Sequence, residues 1–289
     1  MLREETLLGT IDKVQMAIER IKNAYDISVY QGRGALYVAF SGGKDSVCVA
    51  ELVKMANVPY ELHFSPTTVD PPEVLHFIRD YYPETIWEKP KTTMWKLIVQ
   101  KLMPPTQMVR YCCQEFKEGG GEKRVAITGV RRAESVKRAK RGEYEVTSKD
   151  KNKRMLFNDN DDRNTLDTCP VKQKIVVNPI IDWLDEDVWE FIRERNLPYC
   201  CLYDQGYDRV GCVGCPMAKK DKRIDELERY PYMKKKYLMA FDAMIKNRKE
   251  RGLPTVWETG EEVMDWWINR TSDFDKLKEN GQTTFFDEE

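Results

Sequence analysis

Ala35-Leu-Tyr-Val-Ala-Phe-Ser-Gly-Gly-Lys-Asp-Ser46 fixes the reading of this 289-residue chain. Ala35 to Phe40 is a short apolar run, the pattern of a strand buried on both faces. Ser41-Gly42-Gly43 breaks it. Lys44-Asp45-Ser46 then opens an apolar-periodic segment, Val47 to Met55, which reads as a helix. Strand, glycine turn and helix N-terminus together make an anion site: backbone N–H groups converge, the helix dipole adds positive character, and glycine lets a phosphate approach the main chain. The phosphate loop of ordinary NTPases needs Gly-Lys followed by Ser or Thr, so Asp45 after Lys44 excludes it.

Working outward, Leu7 to Tyr25 carries apolar residues at helical spacing and predicts an amphipathic helix ahead of the strand. Tyr60–Phe64 predicts a second strand. Asp70-Pro71-Pro72-Glu73 then leads into a helix through Arg79, with Asp70 either a helix cap or, with Glu73, a group that orients a nucleotide or a metal. Ile86–Lys89, Arg124–Thr128 and Lys174–Asn178 read as further strands. Thr92–Leu102 and Arg110–Lys117 read as helices, and a last one follows Asp185 as N-cap, with Trp183 and Trp189 as core. Lys140–Thr168 is polar and without apolar period, which predicts an irregular insertion or lid. Alternating strands and helices imply an α/β fold, a doubly wound parallel sheet whose ligands bind beyond the carboxyl ends of its strands. From Met217 the pattern is helical only, over Asp221–Glu228, Pro231–Arg251 and Gly260–Ile268, with a loose tail after Asn269. The expected division is a nucleotide-binding domain over 1–216 and a helical C-terminal extension over 217–289.

Net charge is −1 with 33% charged residues, which argues against a surface wholly given to nucleic acid. Lysines and arginines interleaved with Tyr232, Tyr237, Trp257, Trp266 and Trp267 leave two readings: a local nucleic-acid contact, or a solvated face over a packed stripe. No apolar run reaches membrane-spanning length and Met1–Thr6 does not resemble a signal peptide, so the expected location is cytoplasmic, without a membrane partner. Eight cysteines then point to metal or redox chemistry more than to disulfides. Cys112-Cys113, Cys200-Cys201 and Cys212-Val-Gly-Cys215 predict a metal site, and Gly211 and Gly214 free backbone N–H groups to face sulfur. Four-thiolate zinc is the rival to iron–sulfur. Cys48 is expected in the core, and Cys169 has no partner spacing.

Ser41-Gly-Gly-Lys-Asp-Ser46 resembles the PP-loop of the ATP pyrophosphatase superfamily. With Gly129-Val-Arg-Arg-Ala-Glu-Ser135 and Asn178-Pro-Ile-Ile-Asp-Trp-Leu-Asp-Glu-Asp-Val-Trp189, the chain is similar to the phosphoadenosine phosphosulfate (PAPS) reductase family. The resemblance implies an adenine nucleotide alpha hydrolase-like fold and a bound nucleotide, ATP or a sulfonucleotide such as adenylylsulfate (APS) or PAPS. It implies contacts from Ser41, Gly42, Gly43, Lys44, Asp45, Ser46, Asp70, Gly129 and Arg131, with Lys44, Asp45, Arg131 and Arg132 catalytic. Arginine forks match tetrahedral anions and keep their charge, and Asp45 with Asp70 would hold Mg2+ if ATP is cleaved.

Leu197 to Cys215 resembles a stretch of the APS reductases in which a Cys pair and a C-x-x-C bind a 4Fe–4S cluster. Here Cys200 and Cys201 replace Asn and Pro, so six cysteines compete for four places. Cys212 and Cys215 are assigned as ligands, and Cys112, Cys113 and Cys201 compete for the other places ahead of Cys200. Reductases of the family also carry a C-terminal cysteine that attacks the sulfate sulfur. No cysteine follows Cys215, so the standard reduction of APS or PAPS is not expected. The leading reading is adenylylating, pyrophosphate-releasing chemistry in sulfur transfer, with a sulfur-donor or electron-donor protein as partner. The alternatives are a true sulfonucleotide reductase, and a non-catalytic nucleotide-binding subunit of a sulfur-modification or DNA-processing complex.

Overall fold

The computed structural model describes residues 2–6, 9–147, 155–159 and 174–269. The chain divides into two units, and they are not successive halves. The first comprises Met1–Pro66, Pro71–Lys89 and Glu118–Val210; the second gathers Thr67–Asp70, Pro90–Lys117 and the chain from Gly211 onward. The boundary expected at 216 therefore falls within the second unit, because two short excursions from the α/β part pack with the late helices.

In the first unit, β1 (Arg3–Thr6) and β2 (Gly9–Asp12) pair antiparallel. The helix expected from Leu7 begins only at Lys13: α1 is Lys13–Tyr30, and the Asp12 carboxylate caps it by accepting from Gln15 N at 2.9 Å. Then follow β3 (Leu36–Ala39), α2 (Lys44–Ala56), β4 (Tyr60–Phe64), α3 (Pro72–Tyr81) and β5 (Ile86–Trp87). α4 (Met94–Lys101) and α5 (Tyr111–Phe116) belong to the second unit. β6 (Val125–Ile127), the short α6 (Val136–Ala139), β7 (Tyr144–Thr147), β8 (Met155–Phe157), β9 (Lys174–Val177) and α7 (Asp185–Glu194) complete the first.

Seven strands form one sheet in the order β5-β4-β3-β6-β9-β7-β8. The five from β5 to β9 run parallel, while β7 and β8 are antiparallel at one edge. This is the expected doubly wound architecture. From β3 the chain builds outward to β4 and β5, then crosses to β6 on the other side. That reversal places a ligand crevice beyond the ends of β3 and β6. The core is apolar and fully buried at Leu36, Val38, Val47, Leu52, Ile127, Val177, Trp183 and Phe191, and Trp189 is partly buried against it.

The charged stretch expected to be irregular instead supplies β7 and β8; residues 148–154 and 160–168, and Cys169 after them, lie outside the described residues. Alternation explains β7: Tyr144 and Val146 enter the core, while Glu145, on the opposite face, is buried against Arg141 and Asn178. A buried, ion-paired carboxylate inside a strand hides it from a reading based on apolar period.

The second unit contains α4, α5, α8 (Lys220–Arg229), α9 (Pro231–Glu250) and α10 (Gly260–Asn269). Tyr237, Phe241 and Trp267 are its buried centre, with the Trp267 indole N–H donating to Pro105 O at 2.6 Å. Trp257 and Trp266 pack on each other, leaving Tyr232 the exposed aromatic of that run. Most aromatics among the basic residues thus form a packed stripe. The tail beyond Asn269 lies outside the described residues.

Candidate functional site

The turn after β3 is built for close approach. Gly42 has φ +72°, and a Cβ there would lie 3.1 Å from Ile78 and Val74, so only glycine fits without displacement. Side-chain hydroxyls organise the loop. The Ser46 hydroxyl accepts from Ser41 N at 3.2 Å and donates to Gly43 O at 2.8 Å; the Ser41 hydroxyl accepts from Gly43 N at 3.4 Å. Lys44 N, at the start of α2, donates to the Tyr203 hydroxyl at 2.9 Å. Burial pushes the Tyr203 phenol well above its ordinary range, against the favourable Lys44 N–H, so it stays a neutral hydroxyl.

Two cations meet here from opposite sides of the chain reversal. Lys44 and Arg131 are 4% and 3% exposed. The Lys44 ammonium lies 3.0 Å from Asp185 Oδ1 and donates to Asp208 O at 3.2 Å. Arg131 Nε donates to Asp45 Oδ1 at 2.6 Å, and its Nη2 to the same Asp185 Oδ1 at 2.9 Å. One carboxylate oxygen thus joins both buried cations. Burial works against the charge on Asp185, but the Lys44 hydrogen bond and the charges of Lys44 and Arg131 outweigh it and hold the carboxyl below its ordinary value. Burial likewise opposes the charge on Arg131, and Asp45, Glu134 and Asp185 overcome it.

By its place in the sequence Asp185 is expected to cap this helix. The cap position is Leu184, and Asp187 does the capping work by accepting from Leu184 N at 2.7 Å. Three acids in a row begin this helix and one suffices to cap it, so a second is released toward the cations. That surplus was the available signal. Tyr203 and Asp208 lay inside the quoted Leu197–Cys215 stretch, but nothing in their spacing indicated contact with Lys44.

Gly129 lies against the first turn of α2, where a Cβ would meet Asp45 C and O at 3.1 Å. Backbone cannot yield as a flexible side chain does. Gly129→Ala is expected to cost about 1–3 kcal/mol and to weaken nucleotide binding by tilting Asp45; melting and titration of the purified variant check both. Arg132 does not join Arg131. Its guanidinium donates to Arg141 O at 3.2 Å and to Glu143 at 2.9 Å, which ties the turn to the β7 edge.

Asp70 is placed in the second unit. It caps nothing, since Pro71 holds the cap position of α3. It accepts from Thr67 N at 2.6 Å and from the Thr67 hydroxyl at 2.8 Å. Burial raises its pKa, against the neighbouring Lys117 and the Thr67 bonds. This turn leads to the cysteines: the Cys212 thiol bonds the Thr67 hydroxyl at 3.3 Å, and Val213 N donates to Val69 O at 2.8 Å.

Cys112, Cys113, Cys212 and Cys215 all belong to the second unit. The Cys112 thiol is pushed far up, first by its bond to Cys113, then by burial, then by the charges of Cys113, Cys212 and Cys215. Lys117 lies beside them, its pKa raised chiefly by Cys212. Among the described residues no three His, Cys, Asp or Glu side chains form a group able to hold a metal ion as they stand. The four thiols interact without a ligating arrangement. Cys200, buried, and Cys201, exposed, belong to the first unit. Cys48 is buried in the core, as expected.

The sequence matches the phosphoadenosine phosphosulfate reductase domain over residues 35–218. An uncharacterised protein of Methanocaldococcus jannaschii is 27% identical over 270 residues, covering 89% of this chain and 46% of that protein. An adenosine 5'-phosphosulfate reductase of Oceanobacillus iheyensis is 35% identical over 95 residues, covering 33% of this chain and 30% of the reductase. The chain spans about half the length of the first curated relatives it matches. Among solved structures, the phosphate complex of PAPS reductase from Candida auris aligns with TM-score 0.42 at 16% identity, covering 68% of this chain and 93% of that one.

Proposed function

The chain belongs to the phosphoadenosine phosphosulfate reductase domain family, and on that premise we propose that it binds ATP by its phosphates at Ser41–Ser46 and splits it between the α and β phosphates. The observation that carries the reading is the convergence of Lys44 and Arg131, both buried, at the head of a glycine turn. An acceptor nucleophile attacks the α phosphorus; the bond to the bridging oxygen breaks; pyrophosphate leaves with the electron pair, and the acceptor loses a proton to water. Lys44 and Arg131 take up the charge that develops on the bridging oxygen, in a site where fixed cations need no reorganisation. Asp45, held by Arg131, is the carboxylate suited to Mg2+. Ser41, Gly42, Gly43 and Ser46 shape the cradle, and Arg132 fastens it to the sheet edge.

Thiol chemistry in the second unit supports a 4Fe–4S cluster or zinc held by Cys112, Cys113, Cys212 and Cys215. The donor set fits, being four thiols with a neighbouring cation, Lys117, to offset thiolate charge. When bound, a cluster would supply a centre that carries sulfur or electrons. Lys117 would offset its charge, and Thr67 would keep Cys212 in orientation.

Pyrophosphate release from ATP with a sulfur donor and candidate acceptors tests the reading; ATP binding without release under any acceptor would leave the non-catalytic reading standing. Similarity to a protein named as an APS reductase favours sulfonucleotide reduction as the second reading. Incubation of the purified protein with APS or PAPS and a thiol reductant is expected to yield no sulfite, and stoichiometric sulfite would establish that second reading instead.

A further inference from the structure

Lys44, Arg131, Asp45 and Asp185 form a linked group of two cations and two carboxylates whose own charges cancel. The two carboxylates are not equivalent. Asp45 has a side chain 22% exposed, on the first turn of α2, and its Oδ1 takes Arg131 Nε at 2.6 Å. Asp185 has a side chain 56% exposed, on the first turn of α7, and its Oδ1 joins Lys44 and Arg131 where both would meet a phosphate. Asp187 already caps that helix, so Asp185 has no structural duty at the helix end.

We propose that Asp185 is a specificity residue of the phosphate seat, one that makes the loop select a divalent-cation complex of a polyphosphate over the bare anion. A bare polyphosphate reaching Lys44 and Arg131 meets the Asp185 carboxylate at the same two cations and must either push it into solvent or sit beside it against like charge. A divalent cation removes the conflict, because hard oxygens from carboxylate and phosphate share it readily. Asp185 thus penalises the metal-free ligand far more than the metal complex, which discriminates by repulsion as well as attraction. The inference rests on the reading that this loop holds phosphate, and it adds which form of phosphate enters.

The test is calorimetric titration of the full chain with inorganic pyrophosphate and with ATP, each in EDTA and in excess Mg2+. For Asp185→Asn, affinity in EDTA is expected to rise about tenfold, equivalent to about 1.4 kcal/mol, while affinity in Mg2+ changes little, so the ratio between the two conditions collapses. Asp185→Glu should keep the wild-type ratio. A merely structural role would weaken binding in both conditions and could not produce tighter binding in EDTA. Asp185→Ser, checked by thermal melting, serves if the Asn variant folds poorly. An unchanged ratio in folded Asn or Ser variants overturns the role of Asp185 and leaves phosphate binding intact. Failure of the wild type and every variant to bind either probe removes the phosphate reading and this inference together.

Discussion

Lys44→Ala is expected to reduce ATP-dependent pyrophosphate release by on the order of 10²–10³-fold, the range seen when one preorganised charge-stabilising group is removed from a water-poor site. The Lys44 ammonium is almost fully buried and aimed at the junction of the glycine turn and Asp185. Its loss leaves Arg131 alone against Asp45 and Asp185, so the seat becomes net negative just where a polyphosphate must lie. Stability should fall much less, by about 1 kcal/mol, because Asp185 is half-exposed and water replaces the lost partner. Arg132→Ala is the informative control. Its partner Glu143 lies at the β7 edge, so melting should drop while pyrophosphate release per folded molecule stays within a few-fold of wild type. A Lys44→Ala protein that releases pyrophosphate at the wild-type rate would sink the assignment of this loop. Equal losses in both variants would move the catalytic cations elsewhere.

Cys212→Ser is expected to abolish bound metal, whether iron with sulfide or zinc, in protein purified without oxygen. Serine offers a poor ligand to a soft metal, and four thiols leave no spare in the second unit. Metal affinity in small thiolate sites is largely folding free energy, so the variant should also melt earlier or in two steps. Local bonding sharpens the expectation. The Cys212 thiol bonds Thr67, whose N–H and hydroxyl Asp70 fixes, and the neighbouring Val213 is held by its N–H donating to Val69 O and by the Tyr237 hydroxyl donating to its carbonyl at 3.0 Å. Burial raises the Cys212 thiol and Lys117 works against it, a balance that a bound cation would tip fully toward thiolate. Cys201→Ser is the contrasting variant and should retain the metal. Wild-type protein that carries neither iron nor zinc after anaerobic purification would end the metal reading outright, and retention of full metal by Cys212→Ser would move the ligand set away from Cys212.

Much of the fold was legible because it rests on short-range rules. An apolar hexad, two glycines and a periodic helix are local signals, and five parallel strands with their crossovers followed from repeating them. The β7–β8 edge escaped for a physical reason: Glu145 is buried by pairing with Arg141 and Asn178, so its strand does not read as apolar. Leu7 and Ile11 fit the helical period and extend it six residues ahead of the helix itself, whereas the Asp12 cap sets where the helix starts.

By itself the sequence determined the glycine turn, the parallel sheet that presents it, and the cysteine pairs, since each depends on neighbours within a few residues. Tertiary structure decided what those groups do to one another. It separated Arg131 from Arg132, though they are adjacent, because one faces Asp45 and the other the sheet edge. It brought Asp185 from 141 positions away onto Lys44. It also drew Asp70 to the Cys212 turn through Thr67. Buried charges must find partners wherever the chain supplies them, and that requirement acts across space with no periodicity for a sequence to display.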